Sequence, residues 1–338
     1  MLVHIFQLIK EGIAQGSIYA LIALGYTMVY GIIELINFAH GDIFMIGSMV
    51  SIAVLTLLGV TDQTQPNLLG LVGLFLVACI CAMIVCAVLG VIIERIAYRP
   101  LRNAPRLAPL ISAIGVSLIL QDVGKLWNGI NYIRFPQILD RVDYCIYPIR
   151  IDSVSPFHVT CLATPGESVT IDNITLLVLA ISIVLMVFLQ WLVSSTKVGK
   201  AMRAVAQDRE AAALMGVNVD LIISVTFLIG AALAGAAGFI YGLKNGATIY
   251  SIGYQYGLVA FIAAVLGGIG NIRGAMLGGI VLGLIYNLVS LIPDSLKTGW
   301  GLPHGGAAWD RALIFVVLIL ILVFRPSGLL GQHTPEKV

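Results

Sequence analysis

Charge is what this sequence has least of. Of its 338 residues only 11% are Asp, Glu, Lys or Arg, 59% are hydrophobic, and the mean hydropathy is +1.01. Soluble domains carry about 25% charged residues, so water is excluded as the main solvent of the chain. The 19 basic and 17 acidic side chains leave a formal net charge of +2, which offers nothing to nucleic acid. Strict alternation of apolar and polar residues is also missing, which excludes a membrane β-barrel. No G-x4-G-K-S/T loop occurs, so the chain carries no P-loop for a nucleoside triphosphate. The five histidines are scattered, and no H-E-x-x-H, G-x-S-x-G or Cys/His spacing suits a metal or a nucleophile. Neither a catalytic constellation nor a metal site is expected.

What is present is a series of charge-free stretches. A helical span needs roughly 20 apolar residues at about 1.5 Å each to cross a hydrocarbon core of about 30 Å. The windows 12–33, 43–61, 63–93, 174–196, 221–243, 245–272 and 274–293 contain no charged residue, and two shorter ones lie at 107–121 and 312–324. Only helices satisfy every backbone group within segments this apolar. The expected fold is therefore all-α: one polytopic helix bundle over residues 1–338 with eight or nine spans. The N-terminal MLVHIFQLIKEG lacks a basic region followed by a cleavage site, so the first stretch is expected to remain as a span.

Basic residues orient the bundle. Arg95, Arg99, Arg102 and Arg106 follow the third span, and Lys197, Lys200, Arg203 and Arg209 follow the fifth, which places both loops in the cytoplasm. Residues 129–172 mix charges of both signs with prolines and form an external, periplasmic loop subdomain. Counting crossings from there makes the N-terminus external, unless the polar patch after the first span is re-entrant. Cys145 and Cys161 both lie in that loop, as a disulfide in an oxidising compartment or as two free thiols. Asn37-Phe-Ala-His-Gly41 and Asn271-Ile-Arg-Gly274 echo each other, each between an apolar and a glycine-rich segment; either an internal repeat or chance recurrence among 36 glycines accounts for that. These two regions, 31–42 and 257–275, are the candidates for re-entrant or broken helices.

Residues 197–220, KVGKAMRAVAQDREAAALMGVNVD, read as a charged, alanine-rich cytoplasmic helix over 197–218, with Met202, Val205, Ala206, Ala213 and Leu214 along one side and Gly216 as its C-cap. Such a helix buries its apolar stripe against a partner or lies on the bilayer surface. Glu210-Ala211-Ala212, three residues, then Gly216 resembles the EAA-x3-G loop of importer permeases, whose short helix docks on an ATPase subunit; the Ile-x-Leu-Pro that ends that motif is absent.

The rest of the chain, from about residue 5 to residue 331, resembles the branched-chain amino acid permease family, specifically the H-type subunit of the leucine/isoleucine/valine importer. The resemblance is carried by Gly16-Ser-Ile-Tyr-Ala-Leu21, Asn37-Phe-Ala-His-Gly-Asp42, the segment Gly199 to Gly216, Ala264-Val-Leu-Gly-Gly-Ile-Gly270 with Gly274-Ala-Met276, and Pro326-Ser-Gly-Leu-Leu-Gly331. It implies a complex in a bacterial inner membrane: this chain, a second related permease, two cytoplasmic ATPases that bind ATP and Mg, and a periplasmic amino-acid-binding protein. This chain would bind no cofactor of its own. Gly199, Arg203, Ala206, Asp208, Glu210, Ala211, Ala212 and Gly216 are then the ATPase-coupling residues. Related permeases carry branched-chain or other neutral amino acids, or urea and short amides; a secondary transporter or channel is the competing class.

Ionisable groups inside a membrane cost roughly 2.5–3.5 kcal/mol on insertion scales, so Glu34, His40 and Asp42 around Asn37 ask for a role. With Gly41 they line a substrate pathway, sit as interfacial residues near the cytoplasmic mouth, or hydrogen-bond across a broken helix. Ser17 and Tyr19 in the first span are pathway candidates too, alongside the Ser112 and Gln121 side chains of the fourth. The run Gly267, Gly268, Gly270 either opens backbone groups toward a pathway or allows tight packing.

Overall fold

The computed structural model describes residues 2–61, 67–102, 104–105, 107–139, 141–147, 149–151, 159–161, 169–288, 310–325 and 327–331. Its long helices are α1 (Leu2–Ile33), α2 (His40–Leu57), α3 (Leu68–Ile93), α4 (Leu107–Asn128), α5 (Asn173–Ser195) and α8 (Val219–Asn245). Between α5 and α8 lie the short α6 (Lys197–Gln207) and α7 (Arg209–Leu214). After α8 come α9 (Ile252–Gly267), α10 (Ile272–Leu288) and α11 (Asp310–Phe324).

Among the described residues, six helices are long and apolar enough to cross a membrane; α9, α10 and the apolar part of α11 are shorter. Of the expected eight or nine spans, six are present as single long helices among the described residues. The charge-free windows 245–272 and 274–293 are divided differently in the structure, because α9 ends at Gly267 and α10 restarts at Ile272 around the positive-φ glycines Gly268 and Gly270. The other expected break is also present: α1 stops at Ile33, residues 34–37 have no regular structure, and α2 begins at His40. Glu34 adopts φ 59°, a left-handed conformation rare outside glycine. The two breaks meet, since a Cβ on Gly31 would stand 3.5 Å from the Cα of Gly270.

Helix α1 is the axis of the bundle. Its residues from Ser17 to Val29 are buried, and it packs along α10, α8 and α9. Small residues set that packing: Gly12 and Gly16, four apart, face Gly283 and Gly279, and a Cβ on Gly16 would lie 2.8 Å from the Ile280 Cα. Between helices in lipid, such close backbone approach is a main source of attraction. The alanine- and glycine-rich face of α8 serves α2 and α3 the same way, with a Cβ on Gly235 falling 2.6 Å from the Ala82 carbonyl. By contrast α3, α4 and α5 turn much of their surface outward, where Ile84, Ile111 and Val184 are exposed.

Polar contacts tie the two ends. At one, Lys10 donates to the Thr170 carbonyl (2.9 Å), and Glu11 pairs with both Lys10 (2.9 Å) and Lys244 (2.9 Å). Here too lie strands that composition did not foretell: β1 (Ile133–Arg134), β2 (Asp143–Tyr147), β3 (Ile149–Ile151), β4 (Val159–Cys161), β5 (Val169–Asp172) and β6 (Ala247–Thr248). They pair antiparallel as β1–β6, β2–β5 and β3–β4. Asp172 caps α5 by accepting from the Thr175 N–H (3.2 Å). Burial pushes its carboxyl up, but the Thr175 hydrogen bonds and the nearby Lys10 charge outweigh that and hold it below the usual carboxylate range. The side chains of Cys145 and Cys161 lie outside the described residues, as do Arg106 and Pro326.

Candidate functional site

At the opposite end of the bundle the charged loop forms two helices, not the single one expected over 197–218. Asp208 is extended (φ −158°, ψ 112°), and its carboxylate accepts from the Ala211 N–H (3.0 Å), so it ends α6 by capping α7. Thr196 caps α6 at the Gly199 N–H (3.0 Å), and a Cβ at Gly199 would stand 2.5 Å from the Leu192 carbonyl. Arg203 donates back to the Val193 carbonyl. The loop ends as expected at Gly216: with φ 83° it lets Val217 N–H reach the Ala212 carbonyl (3.0 Å) and its own N–H reach Ala213 (3.0 Å). This is the Schellman arrangement that needs a left-handed residue.

The apolar stripe divides between two directions. Met202, Val205 and Ala212 are buried against the bundle, while Ala206, Ala211, Ala213, Leu214 and Met215 face outward, the last two at 89% and 84% exposure. Glu210 sits in the exposed first turn of α7. Beside it Arg209 donates to the Ile32 carbonyl at the end of α1 (2.8 Å). Val217 and the Asn218 cap then lead into α8, whose Asp220 meets Arg99 (2.5 Å) and Arg102, while Ser224 donates to Glu94 (2.7 Å). Glu94 is fully buried, is paired with Arg102, and opens a five-residue π-helical turn through Tyr98 at the end of α3. One short stretch of chain therefore grips α1, α3 and α8 together.

From the end of α1 the chain turns back into the bundle through a buried polar junction. Asn37, His40 and Asp42 are exposed by 2%, 1% and 0%. Tyr98 donates to Asn37 Oδ1 (3.1 Å); Ser117 donates to Asp42 Oδ2 (2.5 Å) and accepts from Gln121 (3.2 Å). The ring of Tyr26 meets His40 edge-on at 4.9 Å. Among the described residues Asn37 Nδ2, His40 Nε2 and Asp42 Oδ1 have no hydrogen-bond partner. Buried polar atoms without partners are costly, so the junction is not accounted for by packing in this conformation alone. Gly41 lets α9 approach here: a Cβ on it would lie 2.6 Å from the Gly257 Cα.

The other pathway candidates are placed differently. The Ser17 hydroxyl is taken up by the Ala14 carbonyl of its own helix (2.8 Å). Ser112 bonds the Ala97 carbonyl (3.1 Å). The carbonyls freed near Gly267 and Gly268 accept from residues after α11: Leu329 N–H to Leu266 (2.8 Å) and Leu330 N–H to Gly267 (3.1 Å). Asn271 Nδ2 adds a bond to the Leu330 carbonyl (2.7 Å). That glycine run packs a C-terminal turn, while Gly270 faces Gly31. Tyr19 does line a cavity, between α1, α9, α10 and α11.

A family model described as the branched-chain amino acid transport system / permease component matches residues 8–322. The chain belongs to this family. It is 39% identical over 335 residues to the high-affinity branched-chain amino acid transport system permease protein BraD of Pseudomonas aeruginosa, covering 99% of this chain and 98% of the relative. To the permease protein LivH of Escherichia coli it is 37% identical over 340 residues, with the same coverage of both chains. A probable LivM permease protein of Methanocaldococcus jannaschii is 28% identical over 166 residues, 48% of this chain. No solved structure matches it.

In this permease the sequence points to Asn37, His40, Asp42 and Gln121, but not to the Tyr98 and Ser117 that join them. Tyr98 and Ser117 come from helices 61 and 75 positions away in the chain. Glu94 carried a signal, a carboxylate at the end of a charge-free span directly before the Arg95–Arg102 cluster. In the sequence Arg209 is only one of a basic group, since no local spacing points it at Ile32.

Proposed function

We propose that this permease is the membrane-crossing half of an ATP-driven importer that moves branched-chain or related neutral amino acids inward across a bacterial inner membrane. A second, related permease completes the pathway, two cytoplasmic ATPases bind ATP and Mg, and a periplasmic binding protein delivers the amino acid. The printed names of the relatives support the cargo, and the LivM relative supports a second permease type. The observation that carries the coupling role is the two-sided loop. Leu214 and Met215 are offered outward on α7, and Arg209 of the same helix holds the end of α1 where the polar junction begins.

Motion of an ATPase against α7 would pull on Ile32 through Arg209 and on α8 through the Schellman turn. Glu34 and residues 34–37, held in no regular structure, are where the chain yields. Moving the end of α1 carries the start of α2 away from α9, parts the Gly41–Gly257 contact and gives Asn37, His40 and Asp42 a zwitterion to bond. That is alternating access by rocking helices about a break.

The test is purification of the tagged chain with the products of neighbouring genes, followed by reconstitution. ATP-dependent leucine uptake that needs the binding protein and persists without an ion gradient is expected. Transport by the lone chain, or uptake of urea and short amides in place of amino acids, would overturn the reading.

A further inference from the structure

Toward the strand-bearing end, the cavity lined by Tyr19 has a volume of about 260 Å³. Its wall is built of Tyr19, Tyr256 and Tyr286 from three helices, with Val259 and the buried Ile314 beside them and Phe315 at the rim. The Tyr19 ring lies 5.5 Å from that of Tyr256 and 6.4 Å from that of Tyr286. Tyr256 is fixed from behind: it stacks on Phe44 at 5.6 Å, meets Tyr241 edge-on at 4.7 Å, and its hydroxyl accepts from Gln15 (3.0 Å). Rings held on so many sides form a wall that exists before any ligand arrives.

Size and place narrow the occupant. The volume is several times the roughly 30 Å³ of one water and falls below the about 300 Å³ at which pockets for drug-sized ligands begin. It suits a single small molecule, and the lining, aromatic and aliphatic apart from Gln255, suits one with an apolar group. Tyr256 is followed in the chain by Gly257, which packs on Gly41 at the start of the polar junction. The cavity and the polar junction thus share helix α9, and the exposed Tyr254 and Phe315 lie among the cavity's lining.

We propose that this cavity is a transit site for the branched apolar side chain of one neutral amino acid, and that its walls discriminate side-chain size. The proposal rests on the importer reading above. It gives the permease a selectivity of its own, in addition to that of the binding protein.

The experiment compares leucine with valine, which differ by one methylene, in the reconstituted transporter. In a fitted hydrophobic pocket one methylene is worth about tenfold or more. The same binding protein delivers both amino acids to every variant, so a change in their uptake ratio arises in the membrane. Tyr286→Trp and Val259→Phe shrink the cavity and should each lower the leucine-to-valine ratio at least threefold; Ile314→Ala enlarges it and should raise the ratio. Should the shrinking variants fail to assemble, Phe315→Cys at the rim replaces them, with leucine expected to slow its labelling by a maleimide more than serine does. An unchanged ratio, including an even loss of both substrates, would overturn the proposal, as would equal protection by leucine and serine, the result expected if lipid fills the cavity. A wild-type complex that imports neither amino acid would instead reject the importer reading.

Discussion

Asp42 separates the two roles open to a polar residue in a membrane. One carboxylate oxygen bonds Ser117 at 2.5 Å, and among the described residues the other has no partner. Asp42→Asn keeps the shape and a bond to Ser117 while removing a group that costs roughly 2.5–3.5 kcal/mol to insert. Membrane yield should therefore hold or rise. If Asp42 meets the substrate, leucine uptake should fall at least tenfold; uptake equal to wild type would leave Asp42 a packing residue. Gly216 offers a residue-scale test of the loop. At φ 83° a Cβ costs about 1–2 kcal/mol, and proline, fixed near −65°, forbids the turn. Gly216→Pro should uncouple ATP hydrolysis from uptake, seen as ATPase activity kept and leucine accumulation lost, with Gly216→Ala between it and wild type.

At the scale of elements, α7 is too short to be stable alone and depends on what it touches. Arg209→Ala removes its bond to Ile32 without altering the outward face of Leu214 and Met215. The ATPase should still co-purify, while uptake per ATP hydrolysed falls several-fold. Loss of co-purification would show that Arg209 belongs to the docking face. How far such elements were legible beforehand depends on the range of the forces that make them. Charge-free windows announced the long helices, because insertion energy is summed residue by residue along one segment. The junction at 34–42 was visible for the same reason, as polar residues in an apolar frame. The division of the loop at Asp208 was hidden by its alanines, whose propensity favours one continuous helix until a capping carboxylate competes. The Glu94–Arg102–Asp220 group and the three-tyrosine wall were out of reach, since each joins residues more than a hundred positions apart through packing that no local pattern encodes.

For the whole molecule, the contacts at its two ends make a stronger argument about orientation than counting spans did. Lys10 and Glu11 join the start of α1 to Thr170 and Lys244, on the side that carries the strands. Arg209 joins the end of α1 to the basic loop. If Lys197, Lys200 and Arg203 keep that loop inside, as the positive-inside rule requires, α1 must begin outside. The shorter α9, α10 and α11 do not enter this argument, which therefore holds whatever the number of spans. The consequence is measurable with single cysteines in a chain whose five native cysteines, Cys79, Cys81, Cys86, Cys145 and Cys161, are replaced by serine or alanine. A membrane-impermeant maleimide added to intact cells should label His4→Cys and leave Gln207→Cys untouched, and inverted vesicles should show the reverse. Labelling of both positions from the same face would break the link between the two ends of α1. Arg209 could then no longer stand between a cytoplasmic motor and the buried junction at Asn37.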